Sequence, residues 1–157
     1  MTKDEFSQRI VAMMDVLYRI AWSQLRQQAD REDAVQETIR RAWEKQASLK
    51  DERYMQTWVI RILLNVCRTQ QRKSARLIPA EHLPAAHRDD TTDTPLLNAL
   101  FTLEEKFRLP LQLRYVEGCS VTETARILRL PEGTVKSRLA RGRDKLRAIL
   151  NEEVFDA

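Results

Sequence analysis

The chain has 157 residues, enough for one average domain or two small ones. A net charge of +4 and 43% hydrophobic residues leave enough apolar material for a packed core and argue against wholesale disorder. The low content of 3 Gly and 5 Pro argues against a turn-rich β-barrel. The two Cys lie outside any CxxC pair, which argues against a disulfide scaffold and a metal site. No apolar run approaches the ~20 residues that a membrane span needs. We therefore expect an all-α, cytoplasmic protein with no direct membrane insertion.

Three helical stretches are predicted in the first part of the chain. Apolar side chains recur at steps of three and four over residues 6–25, 31–45 and 54–73. A polar segment separates the first two stretches. Its last residue, Asp30, resembles an N-terminal cap of the second helix, with Asp33 three residues later.

Residues 74–94 change character. They contain Pro79 and Pro84, an excess of acidic residues and no sustained apolar period. This composition predicts a flexible linker. The predicted architecture is therefore two small helical domains, residues 1–73 and 95–157, on either side of it.

The second domain shows four further helical stretches. Pro110 falls inside one of them, where its ring removes a backbone hydrogen bond. Pro131 opens the last, a favourable place for proline. The predicted helices cover residues 96–101, 103–115, 121–130 and 131–150.

The last two of these helices have the layout of a helix-turn-helix. Ser120 and Glu123 can form a capping box at the start of the first helix, and the second helix is basic. Residues 131–147 hold six basic and two acidic side chains, and this surplus suits the phosphate-lined groove of duplex DNA. The alternative is a charged helix that only packs. We predict base-edge contacts from Lys136, Ser137 and Ala140, phosphate contacts from Arg138, Arg141 and Arg143, and a core stripe of Val135, Leu139, Gly142, Leu146 and Ile149.

The second helix of the first domain carries a polar face rich in acidic and amide residues. The macrodipole of the helix accounts for Asp33 without any function, and a solvated face is the usual reason for such a pattern. A protein-binding surface is the other interpretation. The candidate residues are Asp33, Gln36, Glu37 and Arg40.

The third helix of that domain is basic. Residues 53–76 contain six basic side chains and no acidic one, beside Tyr54 and Trp58. A cationic stripe with exposed aromatic residues is typical of a track for unpaired nucleic acid. Trp58, however, falls on the apolar stripe and is more often a core residue at such a position. The predicted contacts are Arg53, Arg61, Asn65, Arg68 and Arg72.

Four segments together resemble a known family. Residues 32–43 and 57–65 are similar to region 2 of bacterial sigma factors, and residues 113–118 and 131–143 are similar to region 4. The linker is too short for an intervening region 3. The chain is therefore identified as a member of the small, two-domain extracytoplasmic function (ECF) group of the sigma-70 family.

The resemblance implies that the protein directs core RNA polymerase to promoters and helps to open the duplex, with no bond chemistry and no cofactor. The polar face of the second predicted helix would bind the clamp helices of the β′ subunit through Asp33, Gln36, Glu37 and Arg40. The stripe around Asn65 would hold the melted −10 strand. The second domain would read the double-stranded −35 element and meet the β flap.

The resemblance also implies an anti-sigma factor, through which the chain would be held at the inner membrane. Residues 49–55 differ from the family pattern, since many relatives carry Phe, Gly and small residues there. The resemblance therefore does not predict which base of the −10 element this protein prefers. A rival hypothesis is a stand-alone helix-turn-helix regulator. An enzyme is not supported, because the two His residues lie in the linker and there is no phosphate-cradling Gly loop.

Overall fold

The computed structural model describes residues 1–77 and 95–155, which form α-helices joined by short turns, with no strand in these two ranges. The chain divides into two compact units, one containing the helices of residues 1–77 and the other those of residues 95–155. The all-α prediction with two helical domains is confirmed. The predicted linker lies outside the described residues, except for its first positions.

The first unit opens with two helices where the sequence predicts one. Helix α1 spans Lys3–Ala12 and α2 spans Met14–Gln24, with Met13 between them at φ −92° and ψ −3°. The buried side chains Phe6, Ile10, Met13 and Leu17 continue across this break. The prediction of one continuous helix is wrong because apolar periodicity reports the side that faces the core and not the continuity of the backbone hydrogen bonds.

Helix α3 spans Gln28–Glu44, and its start differs from the predicted one. Gln27 occupies the cap position and its side chain makes no capping hydrogen bond, whereas Asp30 lies inside the first turn. An acidic residue in that turn is still favourable for the helix dipole. The predicted cap at Asp30 is therefore wrong.

The turn between α2 and α3 is held by the side chain of Arg31, which is only 3% exposed. Its Nε donates to the carbonyl of Leu25 at 2.8 Å, and its guanidinium lies 5.3 Å from the ring centre of Trp22. Gln71 Nε2 donates to the carbonyl of Gln24 at 2.8 Å. These donors satisfy the carbonyls that the end of α2 leaves without intrahelical partners.

Helix α4 spans Met55–Leu77 and runs past the end predicted near Lys73. It packs against α2 and α3 to form the core of the first unit. Two short 3₁₀ turns, Gln46–Ser48 and Glu52–Tyr54, connect α3 to it. The large, fully buried side chains of this core include Leu17, Ile20, Val35, Val59, Ile60 and Leu63.

The second unit has the four predicted helices in the predicted order, but one of them changes from an α-helix to a π turn. The predicted helix 103–115 is α-helical only to Leu111, and the next five residues form a π turn that the Glu117 N–H closes on the Gln112 carbonyl at 3.0 Å. Apolar spacing carries no signal for this change. The elements are α5 (Pro95–Thr102), α6 (Glu105–Leu111), the π turn (Gln112–Val116), α7 (Val121–Leu128) and α8 (Glu132–Phe155).

The core of the second unit lies between α5, α6, α7 and α8. Gly142 is buried, and a Cβ built on it would lie 2.9 Å from Leu111 Cδ1 and 3.5 Å from Phe107 Cβ, so glycine permits the close approach of α8 to α6. The predicted stripe on α8 is confirmed, with Leu146 and Ile149 partly buried. The buried members of the core are Leu100, Leu103, Phe107, Leu111, Ala125, Val135 and Leu139.

We expect Gly142→Val to lower the free energy of unfolding of the second unit by about 1–3 kcal/mol, because the branched side chain overpacks the contact with Leu111. Gly133→Val is the matched control, since no atom lies within 4 Å of the added Cβ. Denaturant unfolding of both variants measures the effect. An unchanged midpoint for Gly142→Val would show that the Leu111 side chain or the two helices give way at no cost.

Candidate nucleic-acid and protein interfaces

Helices α7 and α8 form the predicted helix-turn-helix. The Ser120 hydroxyl accepts from the Glu123 N–H at 3.0 Å, and the Glu123 carboxylate accepts from the Ser120 N–H at 3.0 Å, so the predicted capping box is confirmed. Arg129 ends α7 in the left-handed conformation, at φ 56°. Thr122 Oγ1 donates to Glu132 Oε1 at 2.7 Å and joins the two helices. The turn between them is therefore closed by specific local bonds.

The N-terminal half of α8 presents one exposed basic face. Lys136, Ser137, Ala140 and Arg141 are exposed, and Arg138 is half-buried. Among the described residues, Lys136, Arg138 and Arg141 have no carboxylate partner, whereas Arg147, farther along, pairs with Asp144 at 3.2 Å. The positive charge of the N-terminal half is thus left available to an external anion.

Arg143 differs from its neighbours on α8. It is half-buried, and its Nη1 donates to the hydroxyl of Tyr115 at 2.8 Å. The guanidinium of Arg114 lies 5.6 Å from the ring centre of Tyr115. Sequence reasoning did not predict this contact, because the two partners are 28 residues apart and no local pattern links them.

The polar face of α3 lines a groove of about 650 Å³ between α3 and α4. Asp33, Gln36, Glu37 and Arg40 all lie along it, so the structure brings together the four predicted residues. The sequence did not indicate the opposite wall, which only the packing of the two helices creates. That wall consists of Val66, Thr69, Gln70 and Lys73.

Glu37 is the centre of an ion-pair network on α3. Its carboxylate accepts from Arg40 Nε at 3.0 Å and from Arg41 Nε at 2.8 Å, while Arg40 Nη1 also bonds Glu44 at 2.7 Å. The hydrogen bonds from Arg40 and Arg41 lower the pKa of Glu37 to about 2. Glu37 therefore stays ionised at neutral pH, and Arg40 is held against it.

The basic stripe of α4 is only partly continuous. Asn65, Arg68 and Arg72 are exposed on the helix, and Arg61 is half-buried. Arg53 lies on the 3₁₀ turn that precedes the helix, where its Nη2 bonds the carboxylate of Asp51 at 2.8 Å. The structure thus places four of the five predicted residues on one helix and the fifth in a local ion pair.

Trp58 packs in the first unit, as its place on the apolar stripe indicates. It is half-buried, and its ring meets the ring of Phe6 edge-on with centroids 6.5 Å apart. Trp43 contacts the same Phe6 ring at 6.0 Å and remains 42% exposed. The structure therefore favours the core role of Trp58 over base stacking.

Comparison with known proteins identifies the family. The family model for sigma-70 region 2 matches residues 10–77, and the model for sigma-70 region 4 matches residues 94–146. The chain belongs to the sigma-70 family. It is 31% identical over 98% of its length, and 90% of the relative's, to an RNA polymerase sigma-E factor of Streptomyces coelicolor. It is 32% identical over 85% of its length, and 71% of the relative's, to the ECF RNA polymerase sigma factor SigM of Mycobacterium tuberculosis.

A solved structure shares the fold of this ECF sigma factor. The sigma factor RpoE of Bartonella quintana, crystallised with the anti-sigma factor NepR, superposes with a TM-score of 0.80 and 27% identity, covering 94% of this chain and 97% of that one. The resemblance found in the sequence is therefore confirmed.

As a sigma factor, the protein directs RNA polymerase to promoters in transcription initiation and is not an enzyme. Because regions 2 and 4 occur together in one chain, the stand-alone regulator is the weaker hypothesis. In the described ranges there is no cluster of three metal-ligating side chains. None of the helices there is long and apolar enough to cross a membrane.

Cys67 and Cys119 of the sigma factor are buried, and neither forms a disulfide. Burial raises the pKa of Cys119 to about 11, with a smaller contribution from Glu123 and Glu117. Any stability that this protonated thiol contributes is present below the pKa of the unfolded chain and is lost as the pH rises towards 11.

We expect Cys119 in the native protein to react with iodoacetamide at pH 8 roughly 100-fold more slowly than in the unfolded chain, because its thiolate fraction falls by about two powers of ten. Mass spectrometry of timed alkylations measures the rate, and the same reaction in urea is the control. Equal rates in both states would contradict the buried position of the thiol.

Proposed function

We propose that this ECF sigma factor binds core RNA polymerase through the groove face of α3. Asp33, Gln36, Glu37 and Arg40 would contact the clamp helices of the β′ subunit. The support is that all four line one groove, and that the ion pairs of Glu37 hold the charged groups in place before a partner arrives. Preorganised side chains lose less entropy on binding.

We propose that the α4 stripe holds the melted non-template strand of the −10 element. Arg68 and Arg72 are exposed and have no carboxylate partner among the described residues, and Asn65 lies on the same face with both a donor and an acceptor for base edges. Arg61 extends the stripe. Arg53 would join it only by exchanging Asp51 for a phosphate. Residues 1–73 would thus provide both the polymerase and the −10 contacts.

We propose that residues 95–157 read the duplex −35 element and meet the β flap. Lys136, Ser137 and Ala140 would contact base edges, and Arg138, Arg141 and Arg143 would contact phosphates. The observation that carries this assignment is the exposed, uncompensated basic face at the start of the second helix of a capped helix-turn-helix. That end of such a helix is the part that enters the major groove.

We also propose an anti-sigma factor as a regulatory partner. Support comes from the solved relative RpoE, whose structure contains the anti-sigma factor NepR and whose fold extends over nearly the whole of this chain. Affinity capture of the tagged protein from its native cells should recover a stoichiometric inhibitor of transcription. Recovery of core polymerase without any inhibitor would contradict this partner.

The function is tested by mixing the purified protein with core RNA polymerase and genomic DNA and mapping transcript start sites. A small set of new starts that share two spaced upstream elements is the expected result. Core polymerase alone is the control. No new starts, together with sequence-specific DNA binding by the isolated protein, would favour the stand-alone regulator.

A further inference from the structure

An exposed tyrosine links the π turn to α8. Tyr115 is 56% exposed, although it is a large aromatic residue next to a well-packed core. Its hydroxyl accepts the hydrogen bond from Arg143, and the guanidinium of Arg114 lies 5.6 Å from its ring centre. Among the described residues, neither arginine has a carboxylate partner. Two cations thus surround one polar aromatic side chain with no anion to balance them.

The bond between Tyr115 and Arg143 restricts a long side chain. An arginine on a helix surface has many rotamers, and fixing it on binding costs entropy. A guanidinium has five N–H donors, so Arg143 keeps donors for a ligand while one of them is held by the phenol. The phenol accepts from Arg143 and keeps its own proton, which it can donate to the same ligand.

We propose that Tyr115 is a positioning residue that holds Arg143 towards a phosphate of the −35 duplex and donates its hydroxyl to that phosphate. This inference rests on the proposed contact of α8 with duplex DNA. A phosphate diester suits the pair because its two non-bridging oxygens, which share one negative charge, can accept from neighbouring N–H and O–H donors. Tyr115 lies outside the helix-turn-helix, so it adds a contact from the π turn.

Replacing Tyr115 by phenylalanine distinguishes a positioning role of this residue from a packing role. A phenylalanine at position 115 keeps the ring and its contact with Arg114 but removes the acceptor for Arg143. Tyr115→Phe is therefore expected to leave the unfolding midpoint unchanged. It should weaken binding equally on all sequences, since a phosphate contact carries no base information.

The test uses the full chain assembled with core polymerase and a duplex carrying the upstream element found by start-site mapping, beside an unrelated duplex. We expect Tyr115→Phe to raise the dissociation constant about three- to tenfold on both duplexes. Arg143→Ala should weaken binding and lower the salt dependence by about one counterion. The double variant should bind more weakly than Arg143→Ala, since the Tyr115 hydroxyl is also lost, but by less than the sum of the two single losses, since the positioning effect is already absent without Arg143. Tyr18→Phe, in the first unit, is the matched control and should bind as wild type does.

The outcomes are distinguishable. If wild type and Tyr18→Phe bind and Tyr115→Phe binds equally well, the inference is wrong and the proposed function stands. Additive losses in the double variant would show that Tyr115 does not act through Arg143. A lowered unfolding midpoint that accounts for the loss would assign Tyr115 a packing role. If wild type does not hold the duplex, the proposed function fails and the inference fails with it.

Discussion

Replacing Gln36 and Glu37 by alanine should reduce the affinity for core polymerase by about 2–4 kcal/mol, roughly 30- to 1000-fold. Both side chains line the groove of α3, and removal of the Glu37 carboxylate also releases Arg40 and Arg41 from their shared partner. Affinity of the purified variant for core enzyme, measured by fluorescence anisotropy, gives the result. DNA binding by the second unit should be unaffected, because the two substitutions lie in the first.

Glu44→Ala is the matched control for this variant. Glu44 bonds the same Arg40 at 2.7 Å on the same helix, but it does not line the groove. The Glu44→Ala variant should therefore lose the ion pair with Arg40 and bind core polymerase with the affinity of wild type. If the Gln36 and Glu37 variant binds core enzyme as tightly as wild type, the α3 face is only a solvated surface and the proposed interface lies elsewhere.

Removing the Lys136 side chain from α8 should weaken promoter binding. Lys136→Ala should cost about 1–3 kcal/mol of binding at the promoters of this sigma factor and relax the preference at one base position. The reason is that Lys136 is exposed near the start of the helix and has no carboxylate partner among the described residues. Binding of the holoenzyme to a set of duplexes with single base changes measures both the loss and the relaxation.

Lys145→Ala removes one charge from the same helix and is the matched control. Lys145 is exposed farther along the helix than Lys136, and its Nζ lies 5.2 Å from the ring centre of Phe107. It should change affinity only slightly and change no base preference. If Lys136→Ala weakens binding to every duplex by the same factor, Lys136 contacts a phosphate and not a base edge.

Local chemistry accounts for the predictions that the structure confirms. The capping box of Ser120 and Glu123 and the core stripe through Val135 and Leu139 depend on neighbours three and four residues away, which sequence spacing specifies. The same holds for the four predicted residues on α3. They share a groove because they share one face of one helix.

Contacts between distant segments account for what sequence reasoning missed. Arg31 appears in the sequence as one more surface charge, yet it is buried, because the end of α2 offers a carbonyl, that of Leu25, to which its Nε donates. The break of the helix at Met13 also leaves no signal in the sequence, because the spacing of the buried side chains is the same on both sides of it. For Arg31 the deciding carbonyl belongs to a neighbouring segment of the chain.

The sequence by itself determined the helical class, the division into two units, the family, and the faces of α3 and α8 that carry the candidate contacts, because each of these follows from side chains close together in the chain. Only the tertiary structure decided which of these groups are already engaged. It paired Arg143 with Tyr115, 28 residues away, and it formed the wall of α4 that completes the groove. The physical reason is that hydrogen bonds and ion pairs depend on distances of a few ångströms, which packing sets and spacing along the chain does not.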